Sequence, residues 1–138
     1  MRDLLAIAKA RGLTVHATHM PPGWLGSYNH ETRRIFFDLG LTPAERRVTI
    51  AHELGHEFYG DRCSSPEAED KADAYAASLL IDPEEYCELE RIDPDVESLA
   101  DAFVVTVECI RNFQRFCLKP IGGSVYVKQT NQRERRIA

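Results

Sequence analysis

Apolar residues recur along this chain in two rhythms, and the changes of rhythm mark its elements. Residues 2–11 read as a first helix ended by Gly12. From Leu13 to His19 apolar and polar residues alternate, as in a half-buried strand. Pro21-Pro22-Gly23 makes a turn, and Leu25–Tyr28 with Arg33–Asp38 predicts a hairpin around Asn29-His30-Glu31-Thr32. The helical period then returns. Thr42-Pro43-Ala44-Glu45 has the form of a capping box, and the chain runs without proline to Tyr59 before Gly60 stops it. On that helix, 43–59, Ile50, Ala51, Leu54 and Phe58 form one apolar stripe, while His52, Gly55, His56 and Tyr59 form another. Gly55 inside a helix costs about 1 kcal/mol relative to alanine, which predicts close approach by a neighbouring backbone or ligand.

Pro66 suits a first helical position, and an alanine-rich run carries a second long helix to Leu80. Asp82-Pro83-Glu84-Glu85 opens a short helix reaching about residue 91. Asp93-Pro94 starts another that pauses near Val104, and Thr106 caps a last helix through Phe116. Gly122-Gly123 precedes a terminal strand, Ser124–Gln129. No repeat or low-complexity tract interrupts this order. The expected fold is α+β, a single small mixed domain over residues 1–138. Residues 1–81 would pack a short antiparallel sheet on helix 43–59. Residues 82–120 form a helical subregion, and 121–138 a terminal strand and basic tail.

Composition narrows the function classes. A chain of 138 residues, 43% hydrophobic and 28% charged, fits one domain with a modest core, leaving no room for an added DNA-binding or sensory domain. A net charge of −5 argues against bulk nucleic-acid affinity. The charge is uneven. Residues 82–101 hold nine acidic side chains against Arg91 alone, read as a solvated helical face. Arg111, Arg115, Lys119, Lys128, Arg133, Arg135 and Arg136 crowd the C-terminal end, read as a frayed tail able to touch an acidic partner. The Leu-Leu-Ala-Ile-Ala run at 4–8 is too short for a signal segment, and no apolar stretch reaches membrane length. A cytoplasmic protein is expected, with Cys63, Cys87, Cys109 and Cys117 free and mostly buried.

The candidate chemistry lies in His52-Glu53-Leu54-Gly55-His56. On a helix the two histidines project from one face, where both can ligate one Zn2+ at about 2.0–2.1 Å. Glu53 beside them can polarise a water on the same ion. A catalytic site needs a third protein ligand. Helix 66–80 offers four carboxylates that helical phase separates. Glu69, Ala72, Asp73, Ala76, Leu79 and Leu80 share a face that would pack inward, while Glu67, Asp70, Lys71, Ala74 and Ser78 fall on the other side. A carboxylate on a small, apolar face calls for a partner or a metal, so Glu69 is the expected third ligand. Asp73 is placed to accept a histidine N–H and fix its orientation. Glu67, Asp70 and Cys63 stay open as weaker ligands.

With these residues in hand, the chain resembles the ImmA/IrrE family of small zinc metallopeptidases, relatives of the thermolysin-type enzymes. The resemblance is carried by 49–56 (TIAHELGH), 69–81 (EDKADAYAASLLI) and 99–108 (LADAFVVTVE). It implies a minimal zincin-like domain, zinc ligands at His52, His56 and Glu69, and Glu53 as catalytic base. Mn2+ or another divalent ion could replace zinc in such a donor set. It also implies endopeptidase action on a helix-turn-helix repressor encoded nearby, in phage, mobile-element or stress regulation. Thermolysin-type sites add a donor for the developing oxyanion, and Tyr28, His30, Tyr59 and Tyr75 are the candidates. Three departures stand out: Lys71 where an acid is common, Tyr75 for Phe, and Asp82-Pro83 for Met-Pro. An inward-turned Lys71 would weaken metal binding.

Three rival readings remain. The chain could regulate a repressor or antitoxin by binding alone, although such a binder has no use for Glu53. Residues 99–116 resemble a DNA-binding helix-turn-helix, against which stands Glu108 near the start of the second helix. A peptidase of phage lysis or of a toxin–antitoxin pair would carry the same motif. Strand Arg34–Phe37 could present its edge to an extended substrate, or serve only as a packed structural strand.

Overall fold

The computed structural model describes residues 3–121 and 124–127, with side chains up to Leu118. In chain order the elements are α1 (Leu4–Ala10), β1 (Thr14–Thr18), β2 (Gly26–Asn29), β3 (Arg34–Asp38), α2 (Pro43–Tyr59), α3 (Pro66–Leu80), α4 (Pro83–Ile92), α5 (Val96–Phe103), α6 (Val107–Cys117), β4 (Leu118–Ile121) and β5 (Ser124–Val127). The basic tail beyond residue 127 lies outside the described residues. No helix among those described is long and apolar enough to cross a membrane.

The helix ends follow the local chemistry. Thr42 and Glu45 close the expected capping box: Glu45 N–H donates to Thr42 Oγ1 at 3.2 Å, and Thr42 N–H to Glu45 Oε1 at 2.9 Å. Gly60 ends α2 at φ 70°, where a residue without Cβ carries no strain. Ser65, Asp82 and Thr106 are the N-caps of α3, α4 and α6, each side chain accepting the N–H three residues on. α5 begins later than Asp93-Pro94 suggests. Asp93 accepts the Asp95 N–H at 3.1 Å, so the N-cap passes to Asp95, which receives Ser98 N–H at 3.0 Å. The pause near Val104 is a left-handed residue at φ 54°. That conformation is strained for a β-branched side chain, and Arg47 Nε donates to the Val104 carbonyl at 3.1 Å.

The sheet is mixed rather than wholly antiparallel. Its order is β1-β3-β2, with β2 antiparallel to β3 as the hairpin requires and β1 parallel to β3. The loop over residues 19–25 carries the chain past one strand position, about 9–10 Å, so β3 returns between the other two. Burial could not reveal this, because strand pairing partners leave no mark on alternation. The sheet lies on α2, and α3 packs against α2 on one side and α6 on the other. Ile35, Leu54, Ala77, Tyr86, Leu99, Ile110 and Phe113 form the centre of this core. Of the acidic stretch, Glu90 is not simply solvated: it accepts the buried Tyr86 hydroxyl at 2.5 Å.

Gly55 is where α2 and α3 touch most closely. A Cβ there would meet Ala72 Cα at 3.0 Å and its carbonyl oxygen at 3.2 Å. Both residues must be small for the metal helix and α3 to lie this near. We expect Gly55→Ala to destabilise the fold by about 1–2 kcal/mol, overpacking against the Ala72 backbone exceeding the roughly 1 kcal/mol that alanine gains in helix propensity. Urea unfolding measures it, and an unchanged midpoint would mean the helices can part without cost.

Candidate metal centre

α2 presents His52 and His56 one turn apart, and α3 brings Glu69 opposite them. His52 Nε2 lies 3.1 Å from His56 Nε2 and 3.1 Å from Glu69 Oε1, while His56 Nε2 lies 2.9 Å from Glu69 Oε2. Ligands on a tetrahedral ion at about 2.0–2.1 Å are separated by on the order of 3.3 Å. The three donors therefore already sit near the edges of such a tetrahedron. Among the described residues this is the group able to hold a metal ion. Two imidazoles and a carboxylate are also the donor types Zn2+ and its neighbours accept.

The outer nitrogens of both rings are held. His52 Nδ1 is 2.8 Å from Asp73 Oδ1, and His56 Nδ1 is 3.0 Å from Asp61 Oδ2. A carboxylate at Nδ1 accepts its proton and leaves the Nε2 lone pair aimed at the common point. Asp73 was legible from its phase on α3. Asp61 was not, because it follows the Gly60 cap and lies outside any periodic segment. Burial works against charge on His52, but the Asp73 bond and the Glu53, Asp73 and Glu69 charges outweigh it, leaving its pKa raised. Removing either outer partner should weaken metal binding about 10–100-fold while the fold persists. Competition with a chromophoric chelator on Asp61→Asn and Asp73→Asn checks this; parent-like affinities would show that the rings need no anchoring.

Glu53 follows His52 on α2, its Oε1 3.6 Å from where a Cβ on Gly26 would sit, and is only 7% exposed. Burial pushes its carboxyl above the usual carboxylate range, with His52 and His56 pulling the other way. It lines both lobes of an open cleft. One lobe, about 380 Å3, includes Tyr28, His56, Asp61, Arg62 and Cys63. The other, about 390 Å3, includes His52, Asp73, Glu108 and Asn112. Trp24 and Gly26 line both, so β2 and the residues before it form the cleft's upper wall. A Cβ on Gly26 would fall 2.5 Å from Thr49 Cγ2 and 2.7 Å from the Phe36 carbonyl. Glycine at this position lets β2 settle onto α2 beside Glu53. β3 is paired on both sides and has no open edge, so Arg34–Phe37 cannot receive a peptide. The outer strands are β1 and β2, and of these β2 lines the cleft.

The four candidate oxyanion donors part company. Tyr28 lies in the cleft wall, with its hydroxyl accepting from Arg33 at 2.9 Å and 3.1 Å from His30 Nδ1. Burial raises its pKa, and Arg33 opposes the shift. His30 reaches the site only through that hydroxyl. Tyr59 and Tyr75 do not line the cleft. Tyr59 is seven residues beyond His52, about 10 Å further along the axis, where its ring meets Phe58 and the Lys71 ammonium. Tyr75 follows Asp73 by two residues, about 200° round α3. It is buried on Phe58 and its hydroxyl accepts from Arg11. Lys71, held over Tyr59, is turned away from the ligands.

Glu67 and Asp70 are exposed and lie outside the ligand group. Cys63 is exposed in the cleft wall, yet also outside it. Cys109 and Cys117 are buried, and Cys87 is half-buried. Glu57, directly after His56, joins Arg11 and Arg33 at 3.2 Å each, bracing the back of α2.

Comparison with known proteins adds three findings. The family described as the IrrE N-terminal-like domain, a peptidase family, matches residues 8–113. A Mycobacterium tuberculosis transcriptional regulator has a similar structure, with a TM-score of 0.66 at 20% sequence identity. The match covers 88% of this chain and 42% of that one, so this chain spans under half of the regulator's length. At that identity the likeness speaks for the fold. No curated protein matches the chain.

Proposed function

The chain belongs to the peptidase family of IrrE N-terminal-like domains, and from that premise we propose that it is a zinc-dependent endopeptidase. Its substrate, in this reading, is a DNA-binding repressor of the helix-turn-helix type, in phage, mobile-element or stress regulation. The observation that carries the proposal is a buried carboxylate, Glu53, beside a convergent His52–His56–Glu69 donor set in an open cleft. A metal held only for structure has no need of that group.

When bound, the ion supplies Lewis-acid polarisation of a carbonyl and a water whose pKa falls towards about 7. Glu53 would act as the general base and acid, taking a proton from the attacking water and returning it to the departing amine nitrogen. Asp73 and Asp61 keep the two rings aimed while charge builds. β2 offers its outer edge to an extended peptide, and Tyr28 stands in the wall where a donor to the oxyanion is needed.

The test is incubation of the purified protein with a helix-turn-helix repressor encoded beside it, with and without a chelator. A discrete fragment pair that appears only with metal supports the reading. An intact repressor whose DNA binding nevertheless weakens would instead favour a regulator that acts by binding alone.

A further inference from the structure

Beyond Trp24 the cleft opens into the lobe walled by α6. Four acidic side chains line it, Glu53, Glu69, Asp73 and Glu108, and no lysine or arginine does. Three of the four are committed. Glu69 faces both imidazoles, Asp73 holds His52, and Glu53 is the buried carboxyl beside them. Glu108 is not committed. It is exposed in the first turn of α6, and none of the hydrogen bonds or ion pairs among the described residues involves it. An acid in a first turn gains from the helix dipole wherever it points. That gain does not account for its place in the cleft wall.

β2 supplies direction. It runs from Gly26, shared by both lobes, to Tyr28 in the other lobe, whose wall carries Arg62. A peptide paired antiparallel to β2 therefore enters beside Tyr28 and Arg62 and leaves along α6. Resting on the peptidase reading above, we propose that Glu108 selects a lysine or arginine side chain on the C-terminal side of the scissile bond. An acidic side chain there meets four carboxylates, only part of whose charge a divalent ion offsets.

Two fluorescein-labelled octapeptides test this, identical except for two lysines or two glutamates in the C-terminal half. Each is bound to zinc-loaded Glu53→Gln protein, so that no cleavage intrudes, and anisotropy gives the affinities. The lysine peptide should bind about fivefold more tightly, a modest factor because Glu108 is exposed. Glu108→Gln in the same background should erase the preference, and Glu108→Arg should reverse it, with zinc content unchanged. Equal affinities, no binding of either peptide, or a preference that survives Glu108→Gln overturns the assignment. A second arm digests unfolded casein with the wild-type chain and Glu108→Gln, and mass spectrometry reads the cut sites. Cuts equally basic on their C-terminal side in both proteins sink the role of Glu108 and leave the peptidase standing. A Glu108-dependent binding preference in a chain that cuts nothing does the opposite.

Discussion

Glu53→Gln should retain the metal at parent stoichiometry and lose peptide hydrolysis by about 10²–10⁴-fold, the range a positioned general base supplies. The amide keeps the size and the hydrogen-bonding edge of the carboxylate but cannot take a proton. Because Glu53 is not among the three convergent donors, the metal has no reason to leave. Burial of an uncharged amide in place of a carboxyl costs the fold little, since a buried charge is the harder group to hold. Metal content by mass spectrometry and turnover on the repressor, or on casein, give the two readings side by side. A mutant that cuts at the parent rate would remove Glu53 from the chemistry, and one without metal would place it among the ligands.

The second large effect concerns the ligand set. His56→Ala and Glu69→Ala should each abolish stoichiometric zinc, whereas Glu67→Ala and Asp70→Ala should leave it intact. Two ligands hold zinc poorly, and truncating either His56 or Glu69 leaves only two of the donors now 2.9–3.1 Å apart. Zinc stabilises the native state by mass action, about 4 kcal/mol at a thousandfold excess over its dissociation constant. The parent's melting temperature should therefore rise with added zinc, and that of the two ligand mutants should not. Glu69→Ala protein that still carries a full complement of zinc would move the third ligand to another residue.

Much of this was legible along the chain because the chemistry is local. Thr42, Pro43, Glu45 and Gly60 bound α2 by interactions within a few residues of one another, so both ends matched expectation. His52 and His56 share a face by helical geometry alone. Asp73 could be named from its phase relative to Glu69. Tyr75, offered only as one of four oxyanion candidates, lies outside the cleft because α3 is buried on two sides and its ring stacks on Phe58. Tyr59 has the right phase and the wrong height, a distinction that periodicity does not draw. Asp61 was invisible, since the turn after Gly60 has no period from which to predict its direction.

What the sequence determined by itself, then, is most of what contacts between near neighbours settle: the helices, their caps apart from that of α5, the hairpin, and the pair of imidazoles on one turn. Only the tertiary structure decided that Asp61 joins Glu69 and Asp73 around those rings, that β2 rather than β3 borders the cleft with a free edge, and that Glu108 faces it. All but the Asp61 contact depend on segments many residues apart approaching within a few ångströms. That approach is governed by the packing of α2 on α3 through Gly55 and Ala72, and by the loop that carries β2 past β3.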